Sequence, residues 1–257
     1  YDIQGHIDAA ESMTHKPVAV LTAGADVGPT VSAVAEVLNL PAESYEVAVR
    51  CRNKLAMRNV VGGIVHRAIY HDEGSPHTLW KRHCRGYDIE PYPCVVKPLE
   101  ASGTRGITMV NSPWEWPKAL HNARPYSQYN RQLLVEQKLS GSEVAMDFFM
   151  YKEQLRLANA AWRLFYHRLG FGLEAGHINP WHPPQEVIDI AQSAADALGV
   201  TFGPFKVDMI CHNGQWIVLE CATRLSGGFD HMVTSPLATG RDVTKAMLDV
   251  ALGDRPL

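Results

Sequence analysis

The hydrophobic pattern along the chain alternates between helical and strand-like spacing. Residues 2–13 predict a short amphipathic helix, and Val18–Leu21 reads as a buried strand closed by Thr22-Ala23-Gly24. A helix follows, with Pro29 near its start, Val31, Val34, Ala35 and Leu38 on one face, and Asn39 and Pro41 at its end. Arg50–Val60 is basic and helix-compatible, whereas residues 62–93 are rich in His, Tyr and Pro and predict no definite element. Cys94–Lys97 predicts a strand ending at Pro98, and the small polar loop Ala101–Gly106 leads into a second strand, Ile107–Val110. Residues 113–131 are expected to contain a helix, and Leu133–Glu136, Val144–Met150 and Leu157–Phe165 predict further strands.

The last third carries clearer punctuation. After Pro183-Pro184, a helix turns Val187, Ile190, Ala191, Ala194 and Leu198 inward and stops at Gly199. Phe205–Cys211 and Trp216–Cys221 predict a hairpin around His212-Asn213-Gly214-Gln215. A final helix runs from about Asp242 to Leu252. At the other end, helix–strand–helix over residues 1–47 matches the tail of a doubly wound α/β unit. One strand makes no sheet, so the remaining strands are expected outside this sequence or from a partner, and Tyr1 reads as the edge of a fragment or a processed start.

Composition narrows the class. The 257 residues are 46% hydrophobic and 20% charged, with 20 Gly and 16 Pro, which excludes a disordered or collagen-like chain. With 24 basic and 27 acidic side chains, nothing points to a nucleic-acid partner. No apolar run approaches the ~18 residues of a membrane span, so no membrane partner is expected. Cys51, Cys84, Cys94, Cys211 and Cys221 are odd in number and form no CxxC, as expected for thiols of a cytoplasmic protein.

Candidate chemistry begins on the late hairpin. Side chains alternate along a strand, so Lys206 and Asp208 share a face, while Glu220 ends the partner strand. Two carboxylates and a lysine on one surface suit Mg²⁺ and phosphate. A two-residue Asn213-Gly214 turn would pair Asp208 with Leu219 and send the two carboxylates to opposite faces; a bulge or an odd-length loop restores a common face. An amphipathic hairpin with solvated charges fits the same spacing. Val95-Val96-Lys97-Pro98 followed by Ser102-Gly103-Thr104-Arg105-Gly106 is not a Walker A loop, because the lysine precedes the glycines. Such a loop can fold its N–H groups over phosphates with Lys97 as a point charge, or be an ordinary turn. Leu134-Val135-Glu136-Gln137-Lys138-Leu139, with Gly141 and Glu143 beyond, reads as a base hinge or as an edge strand and turn. Arg224 before Ser226-Gly227-Gly228 is a candidate anion grip or a structural arginine in a turn. Glu174-Ala175-Gly176-His177 is read as a Gly-rich loop whose histidine is catalytic or incidental.

In this order and across residues ~16–253, the set resembles the ATP-grasp superfamily. The carrying residues are Lys54, Lys97-Pro98 with its loop, Glu136 through Gly141 and Glu143, Gly203–Asp208, and Glu220 through Arg224 and Gly227-Gly228. The resemblance implies an α/β (α+β) fold holding ATP between two subdomains. Residues 1–47 would end a preceding α/β domain, 48–135 form the small subdomain and 136–257 the large one. It implies phosphate contacts from Lys54 and Lys97 and a closing loop at Ser102, Gly103 and Thr104. Glu136 would lie beside the adenine amino group, the Lys138 and Leu139 backbone along the base edge, and Glu143 on the ribose. Asp208 and Glu220 would carry Mg²⁺, with Mn²⁺ as an alternative, Lys206 would lie beside the transferred phosphoryl, and Arg224 would hold phosphate or an acyl-phosphate. His177 is a candidate base for an amine.

Glu174-Ala-Gly-His177 and Arg224-Leu-Ser-Gly-Gly are most similar to the L-amino-acid ligase and carboxylate–amine ligase branch. The expected reaction is therefore ATP-dependent joining of a small-molecule carboxylate to an amine through an acyl-phosphate, in a protein for which a homodimer stays open. An ATP-grasp kinase or carboxylase and a non-catalytic nucleotide-binding domain are the alternatives. One departure stands out: where the superfamily commonly has Glu-x-Asn, this chain has Glu220-Cys221-Ala222.

Overall fold

The computed structural model describes residues 2–63, 67–70, 92–127, 132–166 and 172–257. The predicted helix at 113–131 falls partly outside these, as does most of 62–93. Helices α1 (Ile3–Ser12) and α2 (Gly28–Val37) open the chain. Between them Val18–Leu21 forms no strand, contrary to the sequence expectation, and Val18 is exposed. Among the described residues it meets no neighbouring strand to complete its backbone hydrogen bonds.

The helix-compatible stretch near residue 50 is two helices, α3 (Tyr45–Arg52) and α4 (Lys54–Val61). Asn53 separates them because its side chain caps α4, accepting from Leu55 N at 3.1 Å and Ala56 N at 3.0 Å. Lys54 consequently sits on the first turn of α4.

Two antiparallel sheets carry the rest. The four-stranded sheet runs β1 (Arg67–Tyr70), β4 (Leu133–Gln137), β2 (Cys94–Pro98), β3 (Thr108–Val110) across its width. Helix α5 (Trp116–Ala123) covers it, burying Trp116, Ala119, Leu120 and Ala123 against Cys94, Val96, Leu133 and Val135.

The five-stranded sheet has the order β7 (Glu174–Ile178), β6 (Gln154–Phe165), β5 (Ser142–Tyr151), β8 (Gly203–His212), β9 (Gln215–Ala222). Glu174–His177, read from the sequence as a loop, is therefore an edge strand, paired with Trp162–Phe165. Its two small residues, Ala175 and Gly176, conceal the alternation that would identify it.

The back face of this sheet is apolar and packs on α6 (Gln185–Leu198). Val144, Met146, Phe148, Phe205, Val207 and Met209 meet Val187, Ala191, Ala194 and Leu198. Each large side chain contributes roughly 1.5–3 kcal/mol when fully buried. Phe148 opposite Phe205 and Met146 opposite Val207 thus fix the β5–β8 register, since a one-residue slip would expose them all. Gly141 permits the entry to β5: a Cβ there would lie 1.8 Å from the Cys211 carbonyl oxygen. The short helix α7 (Ser235–Thr239) and α8 (Val243–Ala251), whose Val243, Met247 and Val250 pack near Phe149 and Leu225, complete the described chain.

Candidate functional site

The front face of the five-stranded sheet collects the polar residues, and strand pairing arranges them in rows. One row joins His177, Arg163, Glu143 and Ile210. The next joins Ala161, Ala145, Asp208 and Glu220, and the third Asn159, Asp147, Lys206 and Ala222. The two alanines leave space in front of the middle row while larger polar groups stand on either side.

The hairpin register decides the carboxylate pair. Asn213 and Gly214 both have positive φ, 51° and 78°, as a tight two-residue turn requires. Cys211 pairs with Trp216 and Met209 with Val218, but Asp208 pairs with Glu220. Leu219 is the extra residue of a bulge, which turns Glu220 to the face of Asp208.

Cations surround this pair. Lys206 Nζ donates to Asp208 Oδ1, and Arg163 Nη1 lies 3.4 Å from Asp208 Oδ2. Burial pushes the Asp208 carboxyl up, but Lys206 and Arg163 outweigh it and hold it below the usual range. Glu220 is held low in the same way, by Lys54 at 3.2 Å. Lys54 Nζ also donates to the Ala101 carbonyl at 2.5 Å, where the small polar loop begins. Both carboxylates stay ionised, oxygen-rich and adjacent, a donor set suited to a hard divalent cation. Among the described residues no group of three or more His, Cys, Asp or Glu forms a closed metal site, so such an ion would need ligand or water oxygens to complete its shell.

Asp208 and Glu220 stand at the junction of two clefts. The narrow one, about 120 Å³, is lined by Lys54, Lys97, Gly103, Thr104, Gln137, Lys138, Leu139 and Glu143. The wide one, about 1100 Å³, is lined by Ser102, His177, Lys206, Arg224, Gly227 and Asp230 among others. Glu136, expected at the base, is not on the cleft surface. It is 1% exposed behind the wall, bonded to Arg58 Nε at 2.9 Å and to Lys97 Nζ at 2.7 Å. Burial would raise its carboxyl, but Lys97 and Arg58 hold it low. Alternation along β4 places Gln137, not Glu136, on the cleft.

Glu143 is bonded to Arg163 Nη1 at 3.2 Å and is pushed up, first by desolvation. Arg163 also donates to Glu174 at 2.9 Å and stacks its guanidinium 4.9 Å over Phe165. His177 Nε2 bonds Glu174 Oε1, and this hydrogen bond raises the imidazole. Burial works against it, but the bonds from His177 and Arg163 draw Glu174 down to about 2. Arg224 Nε donates to Asp26 Oδ1 at 3.3 Å and its Nη1 to the Leu225 carbonyl at 3.0 Å. Arg58, Arg163, Asp26 and Asp230 were not singled out from the sequence. Arg163 was legible in principle, since Asn159, Ala161 and Arg163 alternate with Ala160 and Trp162.

A family model of the ATP-grasp domain matches residues 90–231, more than half of the sequence, and the chain belongs to that family. No curated protein matches it. Among solved structures it is similar to the L-amino acid ligase from Bacillus licheniformis, with TM-score 0.77 and 21% identity over 100% of this chain and 61% of that one. The biotin carboxylase domain of 2-oxoglutarate carboxylase from Hydrogenobacter thermophilus, solved with MgADP, gives TM-score 0.75 and 16% identity over 99% of this chain and 57% of that one. The VanG D-Ala:D-Ser ligase from Enterococcus faecalis gives 0.70 and 18% over 88% and 68%. The fold is thus ATP-grasp, and the chain spans about three-fifths of the length of the first two of these proteins. Among the described residues, no helix is long and apolar enough to cross a membrane.

Proposed function

We propose that this chain carries the nucleotide and phosphoryl-transfer machinery of an ADP-forming carboxylate–amine ligase. The observation that carries the reading is the bulge at Leu219, which sets Asp208 and Glu220 side by side where the narrow cleft meets the wide one. In this reading the narrow cleft takes ATP. Gln137, Lys138 and Leu139 border the base, and Glu143 meets the ribose. Lys54 and Lys97 face the phosphates, and the Ser102-Gly103-Thr104 loop closes over them. Asp208 and Glu220 would hold Mg²⁺, or Mn²⁺, which offsets charge on the β- and γ-phosphates.

A carboxylate oxygen of the acid, held in the wide cleft, attacks the γ-phosphorus. The bond from that phosphorus to the β–γ bridging oxygen breaks, and ADP leaves. The amine nitrogen then attacks the acyl carbon, and phosphate departs with the former carboxylate oxygen. The chain's contribution is positioning and charge neutralisation. Lys206 and Arg224 meet the transferred phosphoryl, and His177, made more basic by Glu174, accepts the proton the amine loses. Residues 1–47 would end a preceding domain, with the subdomains at 48–135 and 136–257.

The test is a matrix of acids and amines assayed for phosphate release from ATP. Release that needs one acid and one amine together supports the ligase. Release with a single substrate, or with bicarbonate, favours a kinase or carboxylase. ATP binding without release under every pairing favours a nucleotide-binding module, the reading that Ala222 leaves open.

A further inference from the structure

Arg224 is held by a segment distant from it in sequence. Its Nε donates to Asp26 Oδ1 at 3.3 Å and its Nη1 to the Leu225 carbonyl at 3.0 Å, while Nη2 meets no acceptor among the described residues. Asp26 Oδ2 lies 3.7 Å from Arg52 Nε on α3, so one carboxylate stands between two guanidinium groups. The side chains of Asp26 and Arg224 are 17% and 12% exposed, and both residues line the wide cleft.

The turn that carries Asp26 is laid against the Arg224 loop. Leu225 N donates to Ala23 O at 3.0 Å. A Cβ on Gly24 would lie 3.0 Å from both the Ser226 carbonyl oxygen and Gly227 Cα, so the two backbones approach as closely as glycine allows. Thr22 Oγ1 and Val27 N donate to Ala25 O, at 3.2 Å and 2.9 Å, and close the turn. The backbone thus presents the Asp26 carboxylate to Arg224 with little freedom on either side.

An arginine side chain has many rotamers, and any ordering left to the moment of reaction slows it. With Nε and Nη1 already fixed, the Nη2 edge is left to meet an anion in one orientation. The Asp26 carboxylate also offsets part of the guanidinium charge, so it does not add to the resting affinity for anions. A group that orients a donor without strengthening ground-state binding acts on turnover rather than on affinity.

We infer that Asp26 is a positioning residue for phosphoryl transfer. It acts through Arg224, holding the guanidinium for the transferred phosphoryl, and makes the turn at 22–28 part of the site. This rests on the proposed function, in which Arg224 meets that phosphoryl.

The experiment measures Mg-ADP binding by calorimetry with and without aluminium fluoride, a mimic of the phosphoryl during transfer. The fluoride should tighten Mg-ADP binding tenfold or more in the unaltered chain and less than threefold in Arg224→Lys. Asp26→Asn keeps the size and removes the charge. It should bring the tightening below threefold while affinity for Mg-ADP alone stays within twofold. Asp26→Glu, which keeps the carboxylate, should retain at least half of the tightening. Asp26→Ser serves if Asp26→Asn does not fold. With an acid and amine that release phosphate, Asp26→Asn should cut turnover tenfold or more. Combined with Arg224→Lys, it should be no slower than Arg224→Lys alone within twofold, because the two residues act as one unit. Arg224-dependent tightening that survives Asp26→Asn, losses that multiply in the double variant, a general loss of Mg-ADP affinity, or Asp26→Glu no better than Asp26→Asn overturns the inference and leaves the ligase. Tightening untouched by Arg224→Lys removes the role of Arg224 and the inference with it. No tightening in the unaltered chain, together with no phosphate release under any pairing, removes the phosphoryl-transfer reading itself.

Discussion

Arg58 donates through Nη2 to the carbonyl of Leu219 at 3.0 Å, and Leu219 is the residue that β9 holds in excess opposite Asp208 and Met209. The same guanidinium donates through Nη1 to Val218 O at 2.6 Å and Gly62 O at 2.8 Å, and through Nε to Glu136. One side chain, 1% exposed, therefore ties the bulge, the end of α4 and the carboxylate behind Lys97. The bulge frees backbone groups from the ladder, and Arg58 satisfies them. Removing it would let β9 return to regular pairing, which turns Glu220 away from Asp208.

Arg58→Met should lower stability by about 3 kcal/mol or more in urea unfolding, because it strips donors from buried carbonyls and a counter-charge from Glu136. Arg58→Lys keeps a charge but cannot span the four acceptors that the guanidinium joins. Its folded form should bind Mg-ATP at least about tenfold more weakly by calorimetry. Unchanged affinity would mean that the bulge is held by other contacts.

Asp147 gives a pH signature. It is buried in the row between Asn159 and Lys206 and accepts from Ser226 N at 2.7 Å and Ser226 Oγ at 3.0 Å. Burial, only partly offset by Lys206, pushes its carboxyl up to about 6. The unfolded chain releases this proton near pH 4, so between about pH 4 and 6 the native state binds more protons and stability falls as pH rises. The effect is on the order of 2–3 kcal/mol above pH 6. Asp147→Asn should be the more stable protein above pH 6 and lose that advantage toward pH 4, read from Tm against pH. Parallel Tm profiles would contradict the assignment.

The loop at 102–106 should report nucleotide directly. Gly103, Thr104 and Arg105 are exposed, and Arg105 Nε bonds only as far as the Ser102 carbonyl, at 2.9 Å. With few apolar contacts the loop opens readily. Trypsin should cut after Arg105 in the free chain and be slowed several-fold by Mg-ATP. Equal cleavage would mark an ordinary turn.

Arg224→Lys separates transition-state from ground-state contact. The lysine keeps the charge and loses the fork that reaches Asp26 and an anion together. Turnover should fall roughly 10²-fold or more, while ATP affinity changes less than about tenfold, since Lys54, Lys97 and the hinge remain. Lost ATP binding or untouched turnover would contradict the role given to Arg224.

How much of this could be read from sequence depends on the type of interaction. Elements set by local periodicity and capping, such as α6 with Gly199 behind it and the β8–β9 hairpin, were legible because their signals lie within a few residues. Asp208 and Glu220 were legible as a pair, but the sequence left their common face open. That depended on Arg58, which lies 161 residues from Leu219 and has no local signature. Glu136 was legible as part of the hinge, yet its neighbours Arg58 and Lys97 draw it behind the cleft wall. Asp230 was missed because a carboxylate after Gly227-Gly228-Phe229 looks like a loop residue until Asn159 and Asn179 are brought to it. Val18–Leu21 failed for the opposite reason: its local pattern is strand-like, but no described strand lies beside it.

An acyl-phosphate route carries one carboxylate oxygen of the acid into the released phosphate. A matrix of acids labelled with ¹⁸O in their carboxyl groups, each incubated singly with Mg-ATP with and without each amine, with the released phosphate read by mass spectrometry, follows that oxygen. One ¹⁸O is expected in each phosphate formed, at a rate that rises with the added amine and falls roughly 10²-fold or more in Arg224→Lys. Phosphate released in amine-dependent turnover without ¹⁸O would contradict an acyl-phosphate route.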